Sequence, residues 1–152
     1  MDQRFHSALA QIDSAHGADP RKVTVNGQEL PYELHYSNKM AQYLNKRDAE
    51  ASPTLMLAVC AQHLRRWEVR RDSYPMTKAG YHAWRGYLKK RQADLAYQLC
   101  TASGLTPAES ERVAQLIRKE DLKADPETQV LEDVRHPALM TIRRLLTRSY
   151  HR

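Results

Sequence analysis

Four arginines surround one tryptophan in AQHLRRWEVRRDSYP, residues 61–75, and a histidine, His63, leads into them. Imidazole can ligate a metal or move a proton near neutral pH. Guanidinium groups grip phosphate oxygens in pairs and stack on aromatic rings. Arg65, Arg66, Arg70 and Arg71, with Trp67 among them and Tyr74 beyond, therefore offer a surface for phosphate or nucleic acid. The same arginines also suit a helix C-terminus, where cations meet the dipole and their stems cover apolar surface. His63 falls in phase with Met56, Val59, Cys60 and Trp67 on a helix read over about 53–67. An imidazole pointing inward must have its nitrogens satisfied, by a carbonyl, a carboxylate, a water or a metal. Its neighbour Gln62 looks toward an adjacent helix. A second candidate lies in LEDV, where Glu132 and Asp133 sit between Leu131 and Val134, so one carboxylate borders the buried face. Such a group is matched by a cation or a metal. The chain has no HExxH, no paired cysteines, no glycine-rich phosphate loop and no GxSxG elbow.

The elements that must position these residues read as helices. Phe5, Ala8, Ile12 and Ala15 recur at helical spacing over about 3–15, and HGADP ends that run. VTVNGQELP alternates around an Asn-Gly turn signal and predicts a loop or a tiny hairpin. A second helix is expected over 32–46. Ser52-Pro53 then opens the apolar LMLAVCA segment, the pattern of a helix in the middle of a bundle. A long helix over about 77–102 carries the stripe Tyr81, Trp84, Leu88, Gln92, Leu95 and Leu99. Thr106-Pro107-Ala108-Glu109 is a capping box, and Asp125-Pro126 repeats the cap-plus-proline device. Leu139, Ile142, Leu146 and Tyr150 predict a last amphipathic helix backed by Arg143, Arg144 and Arg148. The expectation is an all-α protein, one compact bundle of six to seven helices.

Charge is distributed unevenly along the 152 residues. Residues 61–100 hold 9 basic and 3 acidic side chains, whereas 101–134 hold 4 and 8, and the tail 135–152 holds 5 and none. That placement suits an anionic partner, either a phosphorylated small molecule or nucleic acid. Cys60 and Cys100 have no disulfide spacing and read as reduced thiols of a cytoplasmic protein. The N-terminus lacks a secretory pattern, and LMLAVCA is far shorter than the roughly 20 residues of a membrane span. No membrane partner is expected.

RFHSALAQIDSAHGADP, ELHYSNKMAQYL, AQHLRRWEVRRDSYPMTKAGYHAWRGYLKK and RKEDLKADPETQVLEDV together resemble the uncharacterised bacterial and fungal family catalogued as domain of unknown function four-two-zero-two. The resemblance covers about residues 4–134, leaving 135–152 as a divergent basic C-terminal helix of the same domain. The helix order is in turn similar to that of HD-domain metal phosphohydrolases. That second resemblance implies a divalent metal held by His63, Asp133 and Glu33, with Gln62, Gln92, Tyr36 and Trp67 lining the site. Arg65, Arg66, Arg70 and Arg71 would then meet substrate phosphate, and the metal would supply hydroxide near neutral pH. Relatives tend to have a histidine where this chain has Gln92, and an amide is a poorer transition-metal ligand than imidazole. Three functions follow as expectations: metal-dependent hydrolysis of a phosphate ester or nucleotide, non-catalytic binding of RNA or another polyanion, and a structural homo-oligomer joined through the last helix.

Overall fold

The computed structural model describes residues 2–120, 124–135 and 137. Helix α1 spans Gln3–Gly17 and starts where the Asp2 carboxylate accepts the amide N–H groups of Arg4 and Phe5. A two-stranded antiparallel hairpin follows, β1 (Lys22–Val25) and β2 (Gln28–Pro31), with Val23 opposite Leu30. Its turn is Asn26-Gly27, both at positive φ (51° and 80°), which is the geometry that draws Asn-Gly into tight hairpins. Of the two sequence readings, loop or hairpin, the hairpin is the observed one. Helix α2 (Tyr32–Arg47) leaves β2 directly.

Helix α3 (Pro53–Cys60) is capped by the Ser52 hydroxyl, which accepts the Leu55 amide at 3.1 Å. Its residues Leu57, Ala58 and Val59 are fully buried, so it is the central rod. It stops at Cys60, seven residues before the expected end. Two short 3-10 turns, Arg66–Glu68 and Arg71–Ser73, lead to α4 (Lys78–Ala102). The Thr77 hydroxyl caps α4 through the Gly80 amide at 3.0 Å. Its buried face includes Trp84, Leu88 and Gln92 of the predicted stripe, then shifts to Ala93, Ala96 and Cys100. Leu95 and Leu99 are only half-buried, and Tyr81 is exposed. Small residues allow α4 to lie close to α5 (Pro107–Arg118), its most extensive packing partner. The capping box at Thr106 and Glu109 is fully formed. Arg4 reaches across to Glu109 at 2.8 Å and ties the starts of α1 and α5 together.

Residues 126–135 are helical and contribute Leu131 and Val134 to the core. That core joins Ile12, Tyr36, Met40, Leu44, Leu55 and Leu116 around α3. Apart from the one small hairpin, the fold is α-helical, as its sequence patterns predict. The stripe from Leu139 to Tyr150 lies outside the described residues.

Candidate anion-binding site

The premature end of α3 builds the site. A helix continuing to Trp67 would use the Cys60 carbonyl for the residue 64 amide. Instead that carbonyl accepts the His16 ring nitrogen Nε2 at 2.7 Å and the Ser37 hydroxyl at 3.0 Å. His63 and Arg65 both take left-handed backbone conformations (φ 63° and 55°). For residues other than glycine each costs about 1–2 kcal/mol. The Arg65 amide offsets part of that cost by donating to Glu33 Oε1 at 2.9 Å, and the Arg65 carbonyl accepts Arg91 Nη1 at 3.0 Å. Tertiary hydrogen bonds therefore override the local helical preference of 61–67. They turn Gln62 and His63 inward, 4% and 7% exposed.

The His63 ring stacks flat on Tyr36, centroids 4.3 Å apart and planes within 2°. Arg66 Nη1 lies 3.0 Å from His63 Nε2. The same Nη1 lies 3.4 Å from His63 Nδ1, and because a guanidinium only donates, the ring faces it with an acceptor nitrogen. The Arg66 guanidinium also lies over the Trp84 ring at 4.7 Å, while Trp84 Nε1 donates to the Val69 carbonyl at 3.0 Å.

A cavity of about 30 Å³ opens at this point. Leu88 and Ile117 give it apolar walls, and Gln62, His63 and Gln92 give it polar ones. Arg66, Arg85, Lys89, Lys119 and Arg135 also line it, and no carboxylate does among the described residues. Glu132, one step behind, pairs with Lys119 and stands 3.9 Å from Arg135. Burial first, and then Arg66, Arg135, Arg85 and Lys119, hold His63 well below the usual histidine range. Burial, followed by Arg85, lowers Arg66. Lys119 is lowered by burial despite the opposing pull of Glu132. Five cations crowd one small space with, among the described residues, a single carboxylate at its edge, which is the electrostatics that favours an anion.

A larger cavity of about 750 Å³ adjoins, lined by Tyr32, Trp67, Trp84, Met76 and Arg70 among others. Arg66 lines both cavities.

Of the residues singled out by sequence, Gln62, His63, Arg66 and Gln92 meet at the small cavity, with Tyr36 behind His63. Trp67, Arg70 and Arg71 border the larger one. Arg70 is paired with Asp72, and Arg71 donates to the carbonyls of Tyr74, Pro75 and Thr77. The Arg65 side chain reaches Glu68 at 3.6 Å. The three expected metal ligands occupy separate networks. Glu33 is buried and engaged by His16 Nδ1 at 3.0 Å, the Arg65 amide and Arg21. Asp133 is exposed and bonded to Arg47 and Gln129. Glu132, not Asp133, is the member of that pair facing inward, because Leu131 and Val134 place their own turn of helix against the core. Among the described residues no group of three or more His, Cys, Asp or Glu could hold a metal ion.

Sequence reasoning missed Arg85, Lys89, Lys119 and Arg135. A signal existed for two of them: Arg85, Leu88, Lys89 and Gln92 follow three- and four-residue spacing on one helix face. It also missed His16, which continues the α1 stripe and pairs with Glu33.

The chain matches the family described as Domain of unknown function (DUF4202) over residues 6–140. It belongs to that family. No curated protein and no solved structure matches it. The DUF4202 match takes in every residue lining the small cavity and runs past residue 134, into the segment read as divergent. No helix among the described residues of this DUF4202 chain is long and apolar enough to cross a membrane.

Proposed function

We propose that the protein binds a phosphorylated small molecule, with the phosphoryl group in the cavity between α4, α5 and the 61–66 turn. One observation carries this reading: Arg66, Arg85, Lys89, Lys119 and Arg135 converge on about 30 Å³, and among the described residues Glu132 is the carboxylate beside them. A bound anion relieves their mutual repulsion and replaces the water that burial removes. The small cavity suits a compact headgroup. The organic part extends past Arg66 into the 750 Å³ cavity, where Tyr32, Trp67 and Trp84 offer aromatic surface. Convergence on a recess, rather than a stripe along a groove, favours a small ligand over a nucleic acid strand.

A divalent metal does not fit the residues that the HD-like resemblance assigns to it. The His63 ring edge faces the Arg66 guanidinium, and Glu33 and Asp133 are committed elsewhere. The role left to His63 is to hold Arg66 in place. Cys60 and Cys100 are buried free thiols, in keeping with a cytoplasmic setting.

Calorimetric titration with phenyl phosphate in low-salt buffer tests the reading. We expect saturable binding to one site, a raised melting temperature, and loss of both in an Arg85→Met/Lys89→Met variant that still folds. Binding undiminished in that variant would place the ligand elsewhere and overturn the proposal.

A further inference from the structure

Gln62 is the group the reading above leaves unexplained. It lines the small cavity and is 4% exposed, and both its amide atoms, Nε2 and Oε1, are buried without a hydrogen-bond partner among the described residues. A lone unpaired polar atom in a folded protein costs roughly 1–3 kcal/mol, so two on one side chain point to a partner that arrives from outside. The cations around the cavity are donors only. The His63 ring edge already faces Arg66 Nη1, 3.0 Å from Nε2 and 3.4 Å from Nδ1. Gln62 and Gln92 are the wall's two amides, each an acceptor beside a donor, and Gln62 is the one whose amide atoms are both buried without a partner among the described residues.

That pairing separates two anions of the same shape. Phosphate and sulfate are both tetrahedral oxyanions, and either satisfies guanidinium and ammonium donors. Near neutral pH inorganic phosphate bears a P–O–H group, and a phosphate ester bears one below its second ionisation at about pH 6; that group needs an acceptor, whereas sulfate bears none. We infer that the cavity selects a protonated phosphoryl group over sulfate, with Gln62 Oε1 accepting the P–O–H hydrogen and Gln62 Nε2 donating to a neighbouring oxygen. A sulfate there would meet the Gln62 carbonyl lone pairs with its own and leave Oε1 unpaired. The inference rests on the anion-site reading and specifies its ligand: phosphate compounds, at a pH where the phosphoryl group keeps a proton.

The test is calorimetric titration of the full chain with inorganic phosphate and with sulfate at about pH 6, near the second ionisation of a phosphate ester. We expect phosphate to bind at least roughly tenfold tighter, the preference of a site whose buried polar group only one ligand can pair. In a Gln62→Leu variant the phosphate-to-sulfate ratio should fall toward one while sulfate affinity holds. Equal affinities in the native chain, or tighter sulfate, would overturn the inference and leave the anion site standing. A ratio that survives in the variant would remove Gln62 as its cause. Binding of neither anion would take down the anion site and this inference with it. The native-chain ratio decides the matter even where the variant fails to fold.

Discussion

His63 is kept neutral by burial and by four surrounding cations, and that fixes how stability responds to acid. Its folded value lies well below the ordinary value of about 6.5, so the unfolded chain takes up a proton that the fold refuses. The stabilisation is complete above that ordinary value and declines as pH falls below it, by up to about 1.4 kcal/mol per pH unit. His35, lowered by burial and by Lys39, acts in the same direction. Melting temperatures of the anion-free protein should fall on acidification below neutrality. In His63→Asn, which tolerates a left-handed backbone, the slope should be shallower. Parallel slopes in the two proteins would show that His63 protonates freely in the fold. Glu33 has the opposite sign. Burial first raises its value, with His16 pulling back, so its charged form opposes folding as pH rises past the ordinary carboxylate range.

The turn after α3 and the start of α4 are where backbone geometry decides outcomes. Arg65 sits at φ 55°, its backbone is fully bonded, and its side chain makes a long contact with Glu68. Arg65→Gly should lie within about 0.5 kcal/mol of the native protein, relief of strain offsetting the looser unfolded chain. Arg65→Val should lose about 1–3 kcal/mol in denaturant unfolding. Two glycines of α4 should split in sign. A methyl group at Gly80 would overlap the Pro75 carbonyl, so Gly80→Ala should cost about 1–3 kcal/mol. Gly86 has open space, and Gly86→Ala should add about 0.5–1 kcal/mol. Elements announced by local chemistry were legible in sequence: the Ser52-Pro53 cap, the capping box at Thr106, the Asn-Gly turn and the apolar α3. The end of α3 was not, because hydrogen bonds with His16, Ser37 and Glu33 decide it, and those residues lie 23 to 44 positions away from their partners in the chain. The site was half legible for the same reason. His63, Gln62, Arg66 and Gln92 come from the segments that drew attention, but Lys119 and Arg135 join them only through packing.

At the scale of the whole molecule, the formal charge of +6 and its concentration near one cavity govern response to salt. Screening reaches about 8 Å at physiological ionic strength. Affinity for phosphate should therefore weaken as chloride is added, while the buried core responds little. Dialysis against a chelator should leave the melting temperature unchanged. A chelator-dependent loss that His63→Asn abolishes would restore the metal reading. The cavity itself is moored from several directions. The Cys60 carbonyl holds His16 of α1 and Ser37 of α2, and the Arg65 backbone is bonded to Glu33 and Arg91. These bonds lie within the protein and fix the wall formed by the 60–65 turn. Entry is then limited by encounter rather than rearrangement, and encounter with a positive recess is fast. Stopped-flow traces should show one exponential whose rate climbs in proportion to anion concentration, and a plateau would reveal a gate.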